Sequence, residues 1–238
     1  MLSISALAKT LGKNGKGGNA QAEQNSFALY IDELRIDSPG VYGLMGANGC
    51  GKSTTTKLIA GIFEPDGGKI ETDLDRRDIT MVTQKPYIMD DTVFNNLAYP
   101  LRVRGVRDYH ALCDQWLEKI NLSGRKHMRA RGLSGGEKQK LSLLRAMIFK
   151  PRLIILDEAM TDLDLDSLDM FIRMIGESQA RDPVTWIIIS HQLTQIRRLC
   201  QYVFFMAGGR LVAEGPTEEL LRSEHPDVRR YLRHEIVE

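Results

Sequence analysis

The chain has 238 residues, 42% of them hydrophobic and 26% charged, with a formal net charge of +1. That length makes one large domain or two intimate subdomains, and the composition excludes disordered and fibrous classes. Near-neutral charge argues against a protein whose main task is to grip nucleic acid, since a phosphate backbone demands a basic field. Cys50, Cys113 and Cys200 are odd in number and far apart. They speak against a disulfide framework or a zinc site and fit a reducing cytosol. Residues 1–11 lack the form of a signal peptide, and every apolar run falls short of the ~18–20 residues that span a bilayer.

In chain order, the Gly-, Asn- and Lys-rich residues 12–25 read as a loop between two short strands. Residues 41–45 (VYGLM) read as a buried strand, followed by a glycine-rich turn and a helix over 52–60. Glu64-Pro-Asp-Gly-Gly68 signals a turn, and 79–83 a further strand. From about 85 to 150 strand signals stop, and Ala111, Trp116 and Ile120, then Leu141, Leu144 and Ile148, recur at helical spacing. Strands return at 153–156 and 186–189, separated by an amphipathic helix marked by Leu165, Leu168, Ile172 and Ile175. Residues 202–206, the turn Ala207-Gly-Gly-Arg210 and residues 211–213 suggest a hairpin, and the charged tail from Thr217 reads as helical. Strands alternating with helices imply a parallel α/β core interrupted by a helical insertion.

The turn after the first buried strand reads Gly46-Ala47-Asn48-Gly49-Cys50-Gly51-Lys52-Ser53, a full match to GxxxxGK[ST], and Thr54 follows. Backbone N–H groups must converge on phosphate oxygens there, so side chains would block the approach, and the helix N-terminus adds its positive end. Lys52 would reach the β- and γ-phosphates, and the Ser53 hydroxyl would ligate Mg²⁺. Farther on, residues 153–156 run straight into Asp157-Glu158. Adjacent carboxylates at a buried strand end are costly unless something needs them. Pointing to opposite sides, Asp157 suits Mg²⁺ and Glu158 suits general-base work on water. Capping of the next helix is the plainer use of the pair. His191 follows another buried strand, where ligands sit in open α/β sheets, although a lone histidine is more often structural.

Leu133-Ser134-Gly135-Gly136-Glu137 opens a helix as a second Ser/Gly anion cradle. With the phosphate loop, Gln84 at a strand end, Asp157-Glu158, Thr161-Asp-Leu-Asp164 and His191 in order, the chain resembles the ATP-binding cassette (ABC) ATPases from about residue 2 to 219. The resemblance implies a P-loop NTPase core (residues 1–84 and 151–216) with a parallel sheet and an N-terminal antiparallel β-subdomain. It also implies an inserted α-helical signature subdomain (85–150) and a helical tail (217–238). Gly46 to Thr54 resemble the Walker A loop, and Gln84 the Q-loop residue that touches Mg²⁺ and the attacking water. Ser134, Gly135 and Gly136 would bind the γ-phosphate of ATP on the opposite protomer. Asp157 and Glu158 resemble the Walker B aspartate and catalytic glutamate, Asp164 the D-loop aspartate at the dimer interface, and His191 the switch histidine. Two chains would sandwich two ATPs, most simply as a homodimer.

The sequence departs from the family in three places. The segment from Asp157 reads DEAMTDLD where DEPTSALD is usual, and Lys140 stands where arginine is commoner, without its bidentate fork. Leu11 occupies the place of the aromatic that stacks on adenine, which implies weak base selectivity; Tyr30 stands nearby, with core packing its expected role. The family further implies a transport motor, cytoplasmic and peripheral on the inner face of the cell membrane, with no nucleic-acid partner. Its integral-membrane permease subunits would dock in a groove near residues 85–104, lined by Tyr87, Ile88, Phe94, Leu97 and Tyr99, with ordinary subdomain core the alternative for about half of these residues. Residues 93–104 look like importer subunits serving oxyanions such as tungstate, and also like lipid-trafficking relatives. The alternatives are a non-transport ABC ATPase of DNA repair or translation and a regulatory module that does not turn over. Retained Glu158 and His191 speak against the latter.

Overall fold

The structure is a computed structural model that describes residues 1–12, 27–181 and 184–235. The first half comprises β1 (Leu2–Leu11), β2 (Phe27–Ile36), β3 (Val41–Met45), α1 (Lys52–Ile59), β4 (Gly67–Thr72), β5 (Ile79–Thr83), α2 (Val93–Val103) and α3 (His110–Lys119). Then come α4 (Gly135–Met147), β6 (Leu153–Asp157), α5 (Leu165–Arg181), β7 (Thr185–Ile189) and α6 (Leu193–Leu199). The chain closes with β8 (Tyr202–Ala207), β9 (Arg210–Pro216), α7 (Thr217–Leu220) and α8 (Pro226–Glu235). It divides into two compact units, residues 1–76 with 187–238, and residues 77–186.

In the first unit β1 lies between β2 and β4, antiparallel to both. β1 and β2 are ten residues each rather than short. Buried positions run Leu2, Ile4, then Leu7 on β1, and Leu29, Ile31, then Leu34, Ile36 on β2. The period of two slips once on each strand, and on β1 the slip coincides with a register shift between Ser5 and Ala8. Such a bulge hides a long strand from any alternation pattern. β4 escaped the sequence reading because Ile70, opposite Ile4, is its one large apolar residue. The loop expected over 12–25 lies, beyond residue 12, outside the described residues.

The same unit holds β3 parallel to β8, and β8 antiparallel to β9. β3 and β8 are buried almost throughout, as strands covered on both faces must be. The β8–β9 turn has positive φ at Gly208 (53°) and Gly209 (78°), the I′-type geometry that matches strand twist. A Cβ at Gly209 would sit 2.1 Å from the Ala28 carbonyl, so only glycine fits.

In the second unit β5 runs parallel to β6 with Thr83 opposite Asp157. Leu97, Leu117, Leu141, Leu144, Ile155 and Phe171 are buried among its helices and strands. Thr92 caps α2 by accepting from the Asn95 N–H. α5 buries Leu168, Phe171, Met174 and Ile175, but Leu165 is 81% exposed. As the first residue of its helix, Leu165 lies outside the apolar stripe expected for it.

Candidate active site

The first unit builds the loop over residues 46–53. β3 delivers the chain to Gly46 (φ 138°), and α1 starts after Gly51 (φ 110°). A Cβ at Gly46 would stand 2.1 Å from the Met206 carbonyl, so the loop presses its base on β8 and leaves Ala47, Asn48 and Gly49 exposed. Lys52 is 6% exposed, and its Nζ donates to the carbonyls of Gly46 (2.6 Å) and Ala47 (3.1 Å). The third donor of that ammonium meets only the weak acceptor Cys50 Sγ (4.0 Å), which a phosphate oxygen could displace. The first bond of α1 runs from Thr55 N–H to the Gly51 carbonyl (2.9 Å). The N–H groups of Lys52, Ser53 and Thr54 therefore precede the helical ladder, which makes the α1 start an anion site. Burial pushes the Cys50 thiol up, against the pull of Lys52, so it stays neutral behind the loop.

His191 belongs to the same unit and lines one cleft with residues 47–50. The turn that presents it is fixed from behind. The buried Ser190 hydroxyl donates to Gln195 Oε1 (2.8 Å), and the Gln192 N–H donates to that hydroxyl (3.1 Å). The sequence reading missed Ser190 and Gln195; two polar residues flanking a strand end were the available signal.

The remaining candidates lie in the second unit. Because Thr83 faces Asp157 across β5 and β6, Gln84 and Glu158 leave the ends of neighbouring strands. Gln84 is exposed and Asp157 is buried. Glu158 has φ 55°, a left-handed conformation that costs a non-glycine residue on the order of 1–3 kcal/mol and clusters at working sites. Gln139 on α4, also missed from sequence, ties these ends together. Its Nε2 donates to the Ala159 carbonyl (2.5 Å) and the Thr83 carbonyl (3.5 Å) at 2% exposure.

Ser134, Gly135 and Gly136 open α4 through a complete capping box. Ser134 Oγ accepts from the Glu137 N–H (3.3 Å), and Glu137 Oε2 accepts from the Ser134 N–H (2.9 Å). That Ser134 amide chiefly holds the Glu137 carboxyl below its usual range, helped by Arg125. Ser134 and Gly135 are exposed, and the serine keeps its O–H for a ligand. Asp164 caps α5 within its own chain: Ser167 Oγ (2.7 Å) and N–H (2.8 Å) both donate to Oδ1. Those bonds, then Lys140 at 3.5 Å, bring its carboxyl down to about 2.

Of the groove residues, Tyr87 is 75% and Tyr99 46% exposed, while Leu97 is fully buried and so is core rather than lining. Phe94 stacks on His110 at 5.4 Å. The segment after Gln84 is held by Arg145, which donates to the Tyr87 carbonyl (2.5 Å), and by fully buried Asn96, which accepts from the Met89 N–H (2.9 Å). At the base position, Leu11 pairs with Phe27, whose ring reaches to 3.0 Å of where a Gly51 Cβ would stand. Phe27 thus sets an aromatic against the loop where sequence showed only leucine. Tyr30 is half-buried under the Arg210 guanidinium (5.0 Å) rather than in the core.

Comparison with known proteins follows the same lines. A family profile described as "ABC transporter" matches residues 32–161. The tungstate uptake system ATP-binding protein TupC of Peptoclostridium acidaminophilum is 34% identical over 193 residues, covering 78% of this chain and 90% of the relative. The methionine import ATP-binding protein MetN 2 of Pseudomonas aeruginosa is 31% identical, covering 86% of this chain and 67% of that one. Among solved structures, the ATP-binding subunit of an ABC transporter superposes with TM-score 0.81 at 22% identity, covering 99% of both chains. A dimeric cassette bound to ADP and phosphate gives 0.75, also at 22%, covering 91% of this chain and 99% of that one.

Proposed function

The chain belongs to the ABC transporter family and is an ATPase of that type, and on that premise we propose that it is the motor subunit of an importer. The observation that carries the reading is the loop at residues 46–53, with a buried lysine seated on its own carbonyls at the start of a helix. Loop and helix amides and Lys52 hold the β- and γ-phosphates. Ser53 and Asp157 are hard oxygen donors of the kind that hold Mg²⁺, which supplies charge neutralisation on the phosphates. The described residues contain no cluster of three or more His, Cys, Asp or Glu side chains fit to cage a metal alone.

Glu158 then takes the proton of the attacking water, with Gln84 orienting that water and His191 contacting the γ-phosphate. Ser134, Gly135 and Gly136 close on the γ-phosphate of ATP held by a second copy of the chain, with Asp164 at the junction. Closure is passed to separate integral-membrane permease subunits docked near exposed Tyr87 and Tyr99. No helix among the described residues is long and apolar enough to cross a membrane; the chain would sit on the inner, cytoplasmic face through its partner.

TupC's name and 34% identity favour an oxyanion cargo of the tungstate kind. The test is affinity capture of the tagged chain from detergent-solubilised membranes, with the captured complex then assayed for tungstate-stimulated ATP hydrolysis. A stoichiometric multi-span membrane protein and stimulation by tungstate are expected. Stimulation by methionine alone would overturn the cargo, and recovery only from the soluble fraction would overturn the transport reading.

A further inference from the structure

A cleft of about 580 Å³ opens in the first unit beside the phosphate loop. Residues 47–50, His191 and the end of β8 form one side, and α8 forms the other through Asp227, Arg230, Tyr231 and His234. Those four positions are spaced i, i+3, i+4 and i+7, a single stripe along the helix. α8 is seated firmly: Val228, Tyr231 and Leu232 are buried, and the Tyr231 ring meets Phe205 edge-on at 5.4 Å. The place of Arg230 is therefore fixed by packing below it.

The charges around the cleft are unevenly committed. Arg229, one residue away, pairs with Glu224 at 2.5 Å. Arg230 has no ion pair among the described residues. The other titratable groups lining the cleft are Cys50, His191, Asp227, Tyr231 and His234. One carboxylate thus faces one guanidinium and two imidazoles, beside a loop built for anions.

We propose that Arg230, with His234 beside it, belongs to the nucleotide site as a cationic arm that α8 holds across the cleft for the polyphosphate of ATP. The inference rests on the reading of residues 46–53 as the phosphate loop and deepens it. The planar guanidinium offers paired donors to phosphate oxygens. Its contribution grows with the number of phosphates, so α8 responds to whether ATP, ADP or nothing occupies the loop.

The experiment is equilibrium binding of fluorescent ATP, ADP and AMP analogues to the full chain, for wild type, Arg230→Gln, Arg230→Lys, His234→Gln and Lys52→Ala, at low and high salt. Arg230→Gln should weaken ATP about five- to tenfold, the size of one charge-assisted contact at a solvated site. ADP should weaken less and AMP hardly at all. Arg230→Lys should restore part of the loss, and His234→Gln should cost ATP about twofold on the same grounds. Added salt should weaken wild type more than Arg230→Gln. Arg230→Gln binding ATP as wild type does, or losing all three nucleotides equally, overturns the inference. A wild-type chain that binds no ATP, or a Lys52→Ala chain that binds it undiminished, overturns the loop reading and this one with it.

Discussion

The loop at residues 46–53 and the turn at residues 134–136 both aim the start of a helix at an anion, yet only the first brings its own cation. Lys52 is buried in the loop it serves, on the carbonyls of Gly46 and Ala47. At the second site Arg125 is engaged on Glu137 at 2.7 Å and Lys140 on Asp164 at 3.5 Å, and Lys138 stands one turn along α4. What remains there is a helix dipole, a serine hydroxyl, an exposed Gly135 and a half-buried Gly136. A site with a dedicated ammonium holds phosphate by itself; a site with only dipole and donors completes a ligand held by something else. Under the proposed function, the first region is a binding site and the second is half of one.

Substitutions that strike one side or the other sharpen this difference. The largest effect is expected of Lys52→Ala, which should cost at least about 100-fold in ATP turnover, since it removes a desolvated charge from the phosphates. Phosphate release beside an unchanged circular-dichroism spectrum checks it. Ser134→Ala should leave ATP affinity of the isolated chain as it is, lower turnover about tenfold, and cost about 1 kcal/mol of stability through the lost cap. Binding, turnover and thermal unfolding of one preparation separate the three. Gln139→Leu should lower stability by about 1–3 kcal/mol, because it strips the buried Ala159 carbonyl of its side-chain donor. Denaturant titration measures that loss.

The smallest effect concerns acid. The Asp164 carboxyl sits at about 2 in the folded chain, below its ordinary value of 3.8. A depressed carboxylate stabilises above its unfolded value and loses that stability as pH falls through its folded one. Wild type should therefore lose stability from about pH 4 to pH 2 more steeply than Asp164→Asn, as unfolding midpoints across that window will show.

Much of this comparison was legible before any coordinates. The phosphate loop, Ser134-Gly-Gly and the β8–β9 turn announce themselves because backbone geometry there restricts residue type, and Asp157-Glu158 because two carboxylates end an apolar strand. The slipped alternation of β1 and β2 concealed their length. β4 was concealed because its pairing, and not its own side chains, makes it a strand. Gln139 and Arg145 act from a distance in sequence, and no spacing rule connects Gln139 to Ala159, whereas Ser190 and Gln195 stand beside His191. Phe27 reaches the loop only because its pairing with Leu11 carries it there.

Sedimentation of the Glu158→Gln chain with and without millimolar ATP and Mg²⁺ tests the half-site argument most directly. Hydrolysis is blocked in that variant while both cradles stay intact. The account predicts a monomer without nucleotide, a dimer with ATP–Mg²⁺, and a monomer again when Ser134→Arg is added. A Glu158→Gln chain that stays monomeric with ATP bound, or a dimer indifferent to Ser134→Arg, would contradict it.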